Sequence, residues 1–102
     1  MKPRQVVYLP SAQRDLDEAA AYIRRDSPAA AAAAAWAEKV DKTLGRLGSF
    51  PESGVVPKDA RLAAKGYRVV VLGEHLGFYV VRPAAVEIRR VIHGRRRYGF
   101  LL

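Results

Sequence analysis

The sequence predicts an α+β fold: an N-terminal strand and an α-helical hairpin packed on a mostly antiparallel β-sheet, in the order β-α-α-β-β-β. Three observations predict it. Residues 11–47 carry apolar side chains at helical spacing, interrupted once at Asp26-Ser27-Pro28. Residues 66–93 hold three runs rich in β-branched and aromatic side chains, parted by connections short enough for hairpins. The helices and the last three strands are segregated along the chain, which sets the helices together on one face of a meander. At 102 residues the chain is expected to be one domain, 1–102, with room for one site or surface.

Residues 5–9 form the first strand, closed by Pro10, after which Ser11 is expected to cap a helix. Leu16, Ala19, Ala20 and Ile23 share one face of that helix, and Gln13, Arg14, Asp17, Glu18 and Arg24 lie largely elsewhere. Asp15, Asp17 and Glu18 read as a solvated acidic face. Ser27 then caps a second helix, with Pro28 at its first position, where the missing amide does no harm. It runs over 28–47 through seven consecutive alanines, and Gly48 ends it. Alanine is the strongest helix former, and its small side chain lets a neighbouring helix come close. Trp36, Val40, Leu44 and Leu47 are expected to pack on Leu16 and Ile23, and on a sheet face that includes Val69, Val71, Phe78 and Val80. Residues 49–59 are rich in turn formers and cross from helices to sheet, with Phe50 expected as a plug beneath the crossing and a helical turn at 61–65. The strands are expected at 66–72, 76–82 and 86–93. A period of two in the last puts Val86, Ile88, Arg90 and Ile92 on one face. Arg90, alone among apolar neighbours, needs a carboxylate, carbonyl oxygens or an exit to solvent.

Composition narrows the chemistry. With no cysteine, disulfides, thiolate nucleophiles and most structural zinc sites are excluded, and His75 and His93 alone make a poor metal set. No cofactor motif is present, nor a Gly-x-Ser-x-Gly or Walker loop. The short apolar run after Met1-Lys2-Pro3-Arg4 lacks the core of a signal peptide, and the alanine run is far short of the ~20 residues that span a bilayer. A cytoplasmic location is expected, with no membrane and no small-molecule substrate. Lysine and arginine number 18 against 10 acidic residues, a formal charge of +8, which points to an acidic partner. Thirteen of the 18 are arginine, suited to bidentate carboxylate or phosphate contacts, although arginine-rich codon usage gives the same count. The basic side chains gather late in the chain: Arg68, Arg82, Arg89 and Arg90, then His93, Arg95, Arg96 and Arg97 beside Tyr98. Guanidinium groups with an imidazole and a phenol can bind phosphates and move protons; they can equally grip an acidic protein.

The order of elements, the Leu47…Phe50-Pro51-Glu52-Ser53-Gly54 crossing, the Gly66-Tyr67-Arg68-Val69 strand entry and Phe78-Tyr79 resemble the RelE/ParE superfamily of bacterial type II toxins. The most specific portion is Arg90-Val91-Ile92-His93-Gly94-Arg95-Arg96, within Val86-Glu87-Ile88-Arg89-Arg90-Val91-Ile92-His93-Gly94-Arg95-Arg96. The resemblance implies a growth-inhibiting toxin neutralised by a cognate antitoxin that folds its tail onto it, acting in one of two ways. ParE-like members poison DNA gyrase without being enzymes; RelE-like members cut messenger RNA in the ribosome. The His-Gly-Arg-Arg tail is more similar to ParE, which implies gyrase as partner, no catalytic residues, and a target-binding set of Arg68, Arg90, Arg95, Arg96 and Arg97. In the alternative the partners are ribosome and mRNA, and the catalytic set is Arg68, His93, Arg95, Arg96 and Tyr98. That set is incomplete, because Tyr98 follows the arginines too closely and Lys58 and Lys65 match no family lysine. A third reading is a basic binding module of the same fold that has lost toxicity. Charge and resemblance together imply an antitoxin whose binding segment is acidic and amphipathic.

Overall fold

The computed structural model describes residues 2–26 and 30–94. Strand β1 (Gln5–Tyr8) leads into helix α1 (Pro10–Asp26) and helix α2 (Ala30–Gly45), which runs on into a 3₁₀ turn at Arg46–Gly48. The short helix α3 (Ala60–Ala64) precedes β2 (Tyr67–Leu72), β3 (His75–Val81) and β4 (Ala85–His93). The sheet order is β1-β4-β3-β2. β2, β3 and β4 form the antiparallel meander the sequence implies, while β1 takes the far edge and runs parallel to β4, Val6 opposite Val86. The two helices make the crossover that a parallel pair requires.

Local chemistry explains most boundaries. Pro10 stands at the first position of α1, and Leu9 O accepts from Gln13 N at 3.0 Å, while the expected first helical position of Pro28 lies outside the described residues. Ser11 is therefore inside the helix and caps nothing; its hydroxyl donates to Arg89 O at 2.8 Å and ties α1 to β4. The expected Ser27 cap lies outside the described residues. Gly48 is required by a close approach, since a Cβ there would stand 2.4 Å from Arg4 O, whose amide donates to Gly48 O at 2.8 Å. Asp59 caps α3 by accepting from Arg61 N at 2.8 Å, and Gly66, at φ +83°, lets the chain leave it. The β2–β3 turn is the two-residue Gly73-Glu74, with Gly73 at φ +66°.

Both sheet faces are apolar, and this reverses one expectation. Val40, Leu44 and Leu47 pack with Ala12, Leu16 and Trp36 on a face built of Leu72, Tyr79, Val86, Ile88 and Val91. Val69, Phe78 and Val80 belong to a second cluster with Leu62 of α3, Tyr67 and Ile92, and Val71 is 67% exposed. The hairpin thus covers the face opposite the one its partners were assigned to. With apolar residues alternating on both sides, periodicity finds the strands but not which face the helices choose.

Strict alternation fails as well in β4. Phe78 pairs with Arg90 but Tyr79 with Ile88, so β4 carries one extra residue, a bulge at Arg89. Beyond it Val91 joins Val86 and Ile88 under the hairpin, and Ile92 turns to the other side. Phe50 is no plug: it is 65% exposed. The anchor under the crossing is Tyr79, fully buried, whose hydroxyl donates to Pro51 O at 2.8 Å and accepts from Gly54 N at 2.9 Å. A Cβ at Gly54 would stand 2.5 Å from that oxygen, so only glycine fits.

Candidate functional site

The bulge decides where the β4 arginines go. Arg90 reaches α1 and meets Asp15 with two prongs, Nε to Oδ2 at 2.7 Å and Nη2 to Oδ1 at 3.0 Å. Asp15 Oδ2 also accepts from Val91 N at 2.9 Å, in the stretch the bulge distorts. The carboxylate is 12% exposed and the guanidinium 20%, so Asp15 is not part of a solvated acidic face. This hydrogen bond raises the Arg90 pKa above its ordinary value. Asp15→Ala is expected to cost about 3 kcal/mol by urea unfolding, because a half-desolvated cation and a backbone donor both lose their partner. Asp15→Asn, which keeps an acceptor, is expected to cost less. A loss under ~1 kcal/mol for Asp15→Ala would show that water replaces the carboxylate.

On the opposite face Arg89 donates to Glu87 at 2.8 Å and lies 5.8 Å from the centre of the Tyr67 ring. Its buried Nε has no hydrogen-bond partner among the described residues. Arg82 approaches the same carboxylate at 3.5 Å. The hydrogen bond from Arg89 holds the Glu87 carboxyl below its ordinary pKa.

His93 closes β4 opposite His75, their rings 5.2 Å apart edge to face, with Glu74 Oε2 at 3.6 Å from His93 Nε2. Trp36 of α2 lies 5.5 Å from His75 on the other side. Gly94 N donates to Glu74 O at 2.8 Å and fixes the point where the chain leaves the strand. Burial first, then the neighbouring His93, holds the His75 pKa below its ordinary value, against the pull of Glu74 and Asp15. Above pH ~6.5 both folded and unfolded chains hold this imidazole neutral. Below it the unfolded chain takes up a proton that the folded one resists, so stability is expected to fall as pH drops. Trp36 is the single tryptophan and sits beside the ring, so its fluorescence reports the titration directly. A wild-type loss of stability between pH 7.5 and 5.5 that persists undiminished in His75→Gln would contradict this assignment.

Arg68 stands apart from these groups. It is near the start of β2, where Nη1 donates to Gly54 O at 2.8 Å, and its register partners are Tyr79 and then Ile88. His93 is five residues further along β4, so the two are separated by roughly 15–20 Å. The fold therefore gathers His93, His75 and Glu74 at one end of the sheet and leaves Arg68 at the other, with Arg90 committed to α1. Arg95, Arg96, Arg97 and Tyr98 follow Gly94 and lie outside the described residues. Reading the sequence alone missed Asp15 as the partner of Arg90; its only signal was the need of that arginine for a carboxylate. Among the described residues, no group of His, Cys, Asp and Glu could hold a metal ion, and no helix is long and apolar enough to cross a membrane.

The profile of the ParE toxin of type II toxin-antitoxin systems, parDE, matches residues 6–98. Comparison with curated proteins gives no match. Among solved structures, the chromosomal ParDE toxin-antitoxin system from P. aeruginosa is similar with a TM-score of 0.72 at 14% identity, over 88% of this chain and 95% of that one. The toxin-antitoxin complex RelBE2 from Mycobacterium tuberculosis gives 0.60 at 25% identity, over 89% and 98%. A YoeB/ParE toxin from Agrobacterium tumefaciens gives 0.61 at 19% identity, over 87% and 96%.

Proposed function

The chain belongs to the ParE toxin family of type II toxin-antitoxin systems, and from that premise we propose that it inhibits growth in the cytoplasm by poisoning DNA gyrase, without being an enzyme. The observation that carries the non-enzymatic reading is the separation of Arg68 from His93 along the sheet. In-line cleavage at a 2′-oxygen needs a proton-moving group and cations within hydrogen-bond reach of one phosphate. Arg68 and His93, roughly 15–20 Å apart, do not reach one phosphate together, which supports the non-enzymatic reading. The target surface is then the arginines after Gly94, namely Arg95, Arg96 and Arg97, mounted on the strand end that His93 and Glu74 hold in place. Arg90 contributes by fixing β4 to α1.

A cognate antitoxin is its second partner. The formal charge of +8 suits a segment rich in carboxylates, and the P. aeruginosa and M. tuberculosis structures are themselves of toxin-antitoxin systems. Such a segment is disordered alone and orders on docking, its apolar side chains against the hairpin and its charges on the basic surface.

Purified protein is expected to inhibit supercoiling of relaxed plasmid by gyrase, to lose that effect when the polypeptide encoded beside it is added, and to leave ribosome-bound mRNA uncut. Cleavage at the ribosomal A site with supercoiling unaffected would replace this reading by the ribosome-dependent endonuclease, with His93 and Tyr98 as proton-transfer groups.

A further inference from the structure

A cleft of about 650 Å³ opens at the end of the sheet opposite His93, lined among others by Lys2, Arg4, Phe50, Glu52, Arg68 and Val81. Its three cations come from two stretches of chain far apart in sequence, residues 2–4 and β2, and two of them are held in place through backbone oxygens. Arg4 Nε donates to Arg82 O at 2.9 Å, and Arg68 Nη1 donates to Gly54 O at 2.8 Å and lies 3.4 Å from Glu52 O. Neither guanidinium is in a salt bridge with a carboxylate among the described residues. Phe50 is 65% exposed in a loop that Tyr79 and Arg68 pin at Pro51 and Gly54. Its exposure is therefore a property of a fixed loop. Three cations against the single carboxylate of Glu52 favour an anionic ligand, and an exposed ring among them favours one with a flat apolar face.

We propose that this cleft binds single-stranded nucleic acid, with phosphates on Lys2, Arg4 and Arg68 and a base stacked on Phe50. Fixed guanidinium groups suit phosphate oxygens, and base stacking on an aromatic ring is indifferent to sequence. Glu52 repels phosphates and carboxylates alike, so its place is beside the base, from whose amino group it can accept, and the exposed Phe50 ring is what favours a nucleotide over an acidic peptide. The size of the cleft fits a nucleotide or two and excludes a duplex. This goes beyond gyrase poisoning, for which it supplies a contact with the DNA strand beside the enzyme. It is measured without gyrase, so either reading can fail alone.

The test is fluorescence anisotropy of the full-length protein with labelled ten-nucleotide deoxythymidine and uridine oligomers over a salt series. Phe50→Leu, which keeps the charge and alters an exposed side chain, is expected to weaken binding to both by about tenfold with an unchanged salt slope. Lys2→Gln with Arg4→Gln is expected to reduce the slope of log K against log salt by about 1.4, the value for two phosphates on a single strand. Unchanged affinity in Phe50→Leu would overturn the proposal, whether or not the Arg4 variant folds. So would a loss confined to Arg95→Ala with Arg96→Ala, which would assign nucleic-acid binding to the tail. A polyglutamate peptide whose binding falls in Phe50→Leu while the oligomers are unaffected would make the cleft a protein-docking surface instead.

Discussion

Leu44→Ala is expected to destabilise the protein by about 2–5 kcal/mol, the range for truncating a fully buried leucine. The upper part of that range is favoured by what lies beneath it. Gly77 of β3 faces Leu44, and a Cβ built there would come within 3.5 Å of Leu44 Cδ2, 3.2 Å of Val70 Cγ1 and 3.0 Å of Leu72 Cδ1. The leucine therefore fills the space over bare backbone. Once it is cut back, Gly77 offers no side chain to move in, and relaxation must come from α2 itself, held by Val40 and Leu47 on either side. A domain of this size has only about 5–15 kcal/mol in hand, so the variant loses a large share of its stability. Urea unfolding with an unchanged midpoint would mean that this face of α2 does not carry the core.

Replacing Arg95 and Arg96 together by alanine is expected to abolish growth inhibition and leave the fold intact. Both follow Gly94 in sequence, and the strand end that precedes them is held by the β2–β3 turn, through Gly94 N to Glu74 O, and by the His75–His93 pair. None of the described core clusters depends on them. Two guanidinium groups offer up to ten N–H donors to carboxylate or phosphate, and with Arg97 they make the sequence's one run of three consecutive arginines. The readouts are colony counts after induction and a circular dichroism spectrum of the purified variant. Full toxicity with a native spectrum would move the target surface to Arg68 and the cleft around it.

Much of the fold was legible because its signals are local. Alanine and leucine spacing, Gly48 and the two short connections of the meander set the elements to within a few residues. What escaped depends on contacts across the chain. The parallel edge position of β1 follows from the crossover and leaves no mark on residues 5–9. The bulge at Arg89 does leave one, since Ile88-Arg89-Arg90-Val91-Ile92 places two polar residues between apolar ones on both sides, a pattern that no unbroken alternation can bury. Phe50 and Tyr79 exchanged roles because hydrophobicity cannot tell a ring that fills space from one whose hydroxyl pins a loop. Of the candidate site, the arginine-rich end of β4 was visible as composition. That Arg90 is answered by Asp15, 75 positions away, and that Arg68 belongs to another end of the sheet, required the register.

The most direct measurement follows the rates of thymidine and amino-acid incorporation in the minutes after induction of the toxin without its antitoxin. DNA synthesis stopping first, with translation continuing until later, is the result expected of a gyrase poison. Immediate arrest of translation with replication still running would contradict it and identify a ribosome-dependent nuclease.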